Sequence, residues 1–226
     1  MTTELSITGV LPVELHSAAI ERLTNYSQGG EAFALDEEVF ARAGSSAEVV
    51  DALGTSAGQV VRVRALRRRG REAEWTIQVN QRPEPPRTAS RALQYGVFDF
   101  AIEDGSDPRT LASALGFSTP AFSIFTRGVR FHRGAVFVEV SQLFESPEAP
   151  QPLDPSSFSV TASTRFSSAT TRAPNAAGVP QQTGGQQVEG ATGGGLSAQE
   201  VREKALEAVE QVARLLKGLV DLRRVD

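Results

Sequence analysis

Cysteine is absent from this 226-residue chain, which removes disulfides, thiolate metal sites and cysteine nucleophiles. Histidine is almost as scarce. His16 and His132 are the two present, too few for a histidine-based metal centre. No run approaches the roughly 20 apolar residues that a membrane helix needs. The opening residues, MTTELSITGV, lack the basic flank and apolar centre of a secretory signal. Nor is there an excess of one charge: 23 Lys and Arg stand against 27 Asp and Glu, a net charge of −4. No whole-chain field therefore draws in nucleic acid or an anionic membrane. The expectation is an intracellular aqueous setting, with no membrane partner and no direct nucleic-acid partner. P-loop, dinucleotide glycine fingerprint, H-E-x-x-H, EF-hand and G-x-S-x-G patterns are missing as well.

What is present is strand patterning. Glu4 to Val10 alternates and stops before Pro12, which suits the first turn of a helix because its missing N–H is unpaired there anyway. A helix is expected over 12–27, with Leu15, Ala18, Ala19, Leu23 and Tyr26 on one face. A strand follows across Glu31 to Ala43, then a looser stretch at 44–58 that reads as an insertion. Val60 to Leu66 and Glu74 to Val79 form a hairpin about Arg67–Arg71. QRPEPPRTAS is a proline-rich connection, since proline is excluded from a sheet interior. Leu93 to Ile102 is a further strand. Asp107 and Pro108 open a short helix as its N-cap and first residue. The clearest β signal is Phe122–Phe131, the Arg133-Gly134 turn and Ala135–Phe144, followed by a strand at Phe158–Phe166.

Residues 167–196 are rich in Gly, Gln and Thr and poor in large apolar side chains, the composition of a flexible linker. Ser197 and Glu200 make a capping box for a last helix. Its stripe runs through Val201, Ala205, Ala208, Val209, Val212, Leu215, Leu216 and Leu219. Seven or eight strands with few helices favour closure, which removes sheet edges. The expected architecture is mainly β: a single closed antiparallel β-barrel with a short N-terminal helix, one small internal helix and a C-terminal amphipathic helix. In domain terms, 1–166 is the barrel with its helix at 12–27, 167–196 the linker, and 197–226 a helix and tail packing on the barrel.

Candidate chemistry centres on arginine. Arg62, Arg64, Arg67, Arg68 and Arg69 fall within RVRALRRRGR. Guanidinium forks suit phosphate, a strand with a solvated outer face and charged tip would look the same, and docking on an acidic protein surface is a third use. The Arg–Val alternation favours the solvated face. Asp36, Glu37 and Glu38 read as a solvated run, and Glu103-Asp104 as part of a turn. No catalytic, cofactor-binding or metal-binding residue is expected.

Several strings, in order, resemble the Mediator subunit 18 family, in a fungal-like form. They are ELSITG with ELHSAAIERLTNYS, VVRVRALRRRGREAEWTIQV, RALQYGVFDFAIEDG, LASALGFSTPAFSIFTRGVRFHRGAVFVEVSQLF and the terminal LVDLRRVD. The resemblance implies a barrel of the twelve-stranded type in the head module of Mediator, the nuclear coactivator of RNA polymerase II. It implies pairing with the related barrel of Mediator subunit 20 and capture of the C-terminal helix of Mediator subunit 8. The Gly/Gln-rich stretch and SPEAPQPLDP depart from that pattern. The family's barrel is also similar to triphosphate tunnel enzymes, whose Glu-x-Glu-x-Lys strands aim metal- and phosphate-binding groups inward. At the alternate positions of the first strand this chain has Glu4, Ser6 and Thr8, and later Glu139 stands alone among Ala135, Phe137, Ser141 and Leu143. One carboxylate per strand is too little to hold a divalent ion on a polyphosphate. A non-enzymatic reading is expected, with a metal-dependent phosphohydrolase as the alternative.

Overall fold

The computed structural model describes residues 2–42, 60–89, 91–102, 106–167 and 197–225. The stretch read as an insertion, the Glu103-Asp104 turn and nearly all of the linker lie outside the described residues. Eight strands carry the fold: β1 (Thr2–Pro12), β2 (Gly29–Ala41), β3 (Val60–Arg68), β4 (Glu74–Asn80), β5 (Leu93–Ala101), β6 (Thr119–Arg133), β7 (Val136–Phe144) and β8 (Ser157–Phe166). The helices are α1 (His16–Tyr26), entered through a 3-10 turn at Val13–Leu15, α2 (Pro108–Ala114) and α3 (Ala198–Leu215). The strands close in the order β1-β5-β4-β3-β2-β6-β7-β8, and β1 seals the ring antiparallel to β5 and β8. The expected closed antiparallel barrel is what forms. Its size corrects the resemblance: among the described residues there are eight strands, the number suggested by the alternating segments themselves.

The apolar core lies outside this barrel. Leu5, Ile7 and Leu11 of β1, Val136, Val138 and Val140 of β7, and Val160 and Ala162 of β8 pack with Ala19 and Leu23 of α1, Val209 and Val212 of α3 and Leu216 at its C-cap. Side chains alternate across a strand, so burying these odd or even sets outward turns the intervening polar residues into the barrel. A second cluster holds Phe40, Val61, Val63 and Ile77 beneath Ala112 of α2. Helices therefore stand where a β-sandwich would place a second sheet.

Local chemistry fixes the helix ends. The Asp107 carboxylate accepts from the backbone N–H of Arg109 (3.1 Å) and Thr110 (3.2 Å) and from the Thr110 hydroxyl (2.6 Å). The Thr110 hydroxyl, with these backbone donors, holds the Asp107 carboxyl below the usual range. Ser197 and Glu200 form the reciprocal capping box at 3.2 and 2.7 Å. At the other end of α3, Arg22 of α1 donates to the Leu215 and Lys217 carbonyls, satisfying acceptors that the helix leaves open.

Beyond α3 the chain turns at Gly218 (φ +87°) and its tail pairs with β1, where Thr8 and Arg223 exchange backbone hydrogen bonds of 2.8 and 3.1 Å. Gly9 permits this approach, since a Cβ there would lie 2.5 Å from the Asp221 carbonyl oxygen. Helix and tail also clasp the proline-rich connection. Arg202 donates to the Thr88 carbonyl, Arg224 to the Ala89 and Glu84 carbonyls, and Arg91 pairs with Glu210.

Because Leu216 is fully buried between α3 and the barrel, Leu216→Ala should lower stability by about 2–5 kcal/mol. Urea unfolding followed by circular dichroism measures this. Lys217→Ala, one residue along and exposed, should move the midpoint little by comparison.

Candidate functional site inside the barrel

The inward faces of the strands enclose a cavity of about 400 Å³, and its walls are charged. On β2 and β3, Glu37 accepts Arg62 at 2.5 Å and Arg64 at 3.0 Å. Arg64 also donates to Gln78 of β4 at 2.8 Å. Across the barrel, Arg165 of β8 pairs with Glu4 of β1 at 2.6 Å and with Asp99 of β5. The Tyr95 hydroxyl donates to the second oxygen of Glu4 at 2.7 Å. Between these walls Arg130 of β6 meets Glu139 of β7 at 2.6 Å. Register explains these partners: Glu4 sits opposite both Tyr95 and Arg165, and Arg130 opposite Glu139, and directly opposed residues share a face.

This arrangement corrects the solvated-face reading of the arginine strand. Arg62 and Arg64 line the cavity, while Val61, Val63 and Ala65 face outward and are buried. The alternation is as expected, but the face that meets protein is the one under α2, so the arginines turn in. The acidic run is corrected likewise. Glu37 is 6% exposed and belongs to the barrel interior, whereas Asp36 and Glu38 remain outside with Arg67 and Arg109. The remaining arginines stay at the hairpin: Arg67 pairs with Asp36, Arg68 lies between Glu31 (3.2 Å) and Glu74 (3.1 Å), and Arg69 is exposed in the turn.

Burial shapes the acid–base character of the Glu4 wall. Loss of water, reinforced by the Glu4 charge and its hydrogen bond, pushes the Tyr95 hydroxyl far above its usual pKa. Burial opposes the charge on Arg165, but Glu4 and Asp99 outweigh it and its pKa is raised. Both groups thus hold their protons across the working range. Neither is suited to proton transfer near neutrality.

The first strand behaves as its spacing suggested. Glu4 lines the cavity, and Thr8 meets the cavity-wall residue Thr161 at 3.2 Å. Glu139 is the inward carboxylate of β7. Among the described residues no group of three or more Asp, Glu or His converges to hold a metal ion. Glu4 and Asp99 are both paired with Arg165. Tyr95, Asp99, Arg130 and Arg165 were not singled out from sequence. A charged residue between two β-branched or aromatic neighbours, as in Val129-Arg130-Phe131, is the signal that Asp99, Arg130 and Arg165 carry, and Tyr95 between Gln94 and Gly96 has none.

Tyr95 is one of two tyrosines in the chain, and its raised pKa has a definite linkage consequence. An unfolded tyrosine ionises near pH 10. The folded form holds its proton above that, so this contribution to stability is present below about pH 10 and declines as pH rises beyond it. Alkaline titration at 295 nm should show the Tyr95 tyrosinate appearing only together with loss of native circular dichroism. Tyr95→Phe should flatten the alkaline fall in stability.

No family model and no curated protein sequence matches the chain. Among solved structures, a chain of the Schizosaccharomyces pombe Mediator head module is similar at 15% identity and TM-score 0.66, over 99% of this chain and 98% of that one. The protein PH1819 of Pyrococcus horikoshii OT3 is similar at 10% identity and TM-score 0.57, over 99% and 94%. A weaker likeness, TM-score 0.43 at 9% identity over 73% and 80%, is to HpAC1 of Hippeastrum, described as having a dominant triphosphatase activity. The eight-stranded barrel with its outer helices is thus a fold that this chain shares, essentially end to end, with a chain of the S. pombe Mediator head module.

Proposed function

We propose that the chain is a non-enzymatic subunit of the Mediator head module, a nuclear scaffold for contacts with Mediator subunits 8 and 20 that supports RNA polymerase II transcription. The observation that carries this reading is the two-way, nearly complete overlap with a chain of the S. pombe head module. That overlap takes in 99% of this chain and 98% of that one, at the higher TM-score of the two end-to-end likenesses reported above. The interior supports the same reading. Each guanidinium in the wall is held by a carboxylate of the same wall, so the groups that would bind a metal or a polyphosphate are occupied by one another.

The outside supplies surface for partners. Phe100 on β5 is 53% exposed beside Ile77, and α2 adds Leu111 and Leu115, 40% and 53% exposed. The basic contact falls to Arg67, Arg68 and Arg69 at the hairpin tip, because Arg62 and Arg64 direct their charge into the barrel.

Co-expression with Mediator subunit 20 and the C-terminal helix of subunit 8 should give a stable heterotrimer by size-exclusion chromatography. A monodisperse chain that binds neither would sink the assignment. Arg69→Glu, at the exposed turn position, should weaken assembly without lowering the unfolding temperature. With Mg²⁺ or Mn²⁺ and tripolyphosphate or triphosphate-ended RNA, no phosphate release is expected. Turnover that disappears in Glu4→Gln would instead establish the phosphohydrolase.

A further inference from the structure

Among the described residues nine large apolar side chains stand exposed, and four of them, Val10, Val13, Leu143 and Leu153, gather at one rim of the barrel. The register puts them there. Val10 lies opposite Ser159 near the end of β1, and Ser159 lies opposite Ser141, two residues before Leu143 on β7. The loop 145–156 between β7 and β8 ties these ends together. Its Leu153 N–H donates to the Leu143 carbonyl at 2.9 Å, and the Val13 N–H donates to the Ser156 carbonyl at 2.9 Å. The four are between 47% and 68% exposed. Apolar side chains scattered singly over a surface need no explanation, but a cluster marks a place of contact.

The loop that displays Leu153 is pinned along its length. Arg127 stacks on Phe144 at 4.3 Å and donates to the Pro147 and Ala149 carbonyls. Gln142 donates to the Asp154 and Ser157 carbonyls at 3.1 and 3.0 Å. The Asp154 carboxylate accepts from the Ser156 N–H and hydroxyl at 2.9 and 2.6 Å. Pro147, Pro150, Pro152 and Pro155 restrict the backbone further. A side chain shown on so constrained a loop loses little freedom when a partner covers it.

Charge says what that partner is. Glu14, Glu145, Glu148 and Asp154 are exposed beside the apolar cluster, and none has an ion pair among the described residues. No lysine or arginine occurs in 1–21 or 134–164. Arg127 meets the loop with its guanidinium on backbone carbonyls, and on the tail beside β1 Asp221 and Arg223 offset each other. The rim is therefore apolar with net negative charge around it. That charge repels an anionic membrane or a second copy of the same rim, and attracts a basic segment.

We propose that this rim binds a basic amphipathic segment of a partner protein. The segment's apolar face covers Val10, Val13, Leu143 and Leu153, and its flanking lysines or arginines meet Glu145, Glu148 and Asp154. Apolar anchors supply the affinity, and the charges select the partner and speed its approach. The proposal stands apart from the Mediator reading, since it is tested on this chain alone.

The probe is a fluorescein-labelled amphipathic peptide of leucine and lysine, titrated with the full chain and followed by fluorescence anisotropy. Leucine–glutamate and serine–lysine peptides of the same length serve for comparison. The leucine–lysine peptide should bind about tenfold or more tighter than either. Its affinity should fall by about fivefold in Leu153→Ser, and similarly when Glu145→Gln and Glu148→Gln are combined. Leu153 projects from the loop, so an unchanged unfolding temperature is expected for its variant. Thr2 pairs with Val97, which puts Phe100 at the other end of the barrel from Val10, and Phe100→Ser should leave binding as it was. Equal binding of the leucine–glutamate peptide, affinity untouched in Leu153→Ser, or an equal loss in Phe100→Ser would each overturn the proposal. So would a dimer in analytical ultracentrifugation that Leu153→Ser abolishes, or Leu153-dependent binding to phosphatidylserine vesicles, because each names a different occupant.

Discussion

Glu37, held between Arg62 and Arg64 inside the barrel, is the contact on which the rest of the structure depends. A carboxylate 6% exposed is costly to remove from water, and the cost is offset only if its oxygens meet opposite charge and hydrogen-bond donors. Two guanidiniums from the adjacent strand supply both. Once the β3 arginines face inward, period-two alternation sends Val61, Val63 and Ala65 outward. The chain must then cover an apolar exterior. The same logic on β1 and β8, where Glu4 and Arg165 point in, sends Leu5, Ile7, Val160 and Ala162 out beneath α1 and α3.

The helices are thus a consequence of the interior. A barrel with an apolar centre could leave its outer face to solvent, but this one has placed its polar side chains within. That explains why α3, though remote in sequence from β1, buries Val209, Val212 and Leu216 against it. It also explains why the tail continues past α3 to pair with Thr8. Arg22 at the α3 C-terminus and the Arg91–Glu210 pair fasten the cover at two points. Surface pairs of that kind contribute little each. The apolar stripe carries the stability, and the charges set where the helix sits.

Much of this was legible in the sequence and one decisive element was not. The strands, the hairpin turns, the Asp107-Pro108 helix start and the Ser197–Glu200 box each rest on local rules, and each forms near its expected place. The inward set on β1, Glu4 with Thr8, followed from period two. What alternation alone could not decide on β3 is which face is the inside, because Arg-Val-Arg-Val reads identically for a solvated exterior and a charged interior. Strand order decides it, and that order is non-local: β3 lies between β2 and β4, where Glu37 and Gln78 wait. The acidic run failed for the same reason, since Asp36-Glu37-Glu38 spans both faces of one strand and only its middle member enters the barrel.

A barrel built this way has two separate kinds of surface. Inside, charged groups close on each other across short distances; burial, then Glu4, keeps the proton on Tyr95, and Glu4 and Asp99 keep Arg165 charged against its burial. A group locked in one protonation state exchanges protons poorly near neutrality. Outside, the apolar alternation runs on past the helices' reach. Ile77 is covered by α2, but its cross-strand neighbour Phe100 is not. On β3 and β5 the inward charges of Arg62, Arg64 and Asp99 stand between outward apolar neighbours, so there the charged interior and the apolar exterior share one origin. The sequence pattern that fills the barrel with ion pairs is also the one that leaves Phe100 exposed on its outer wall.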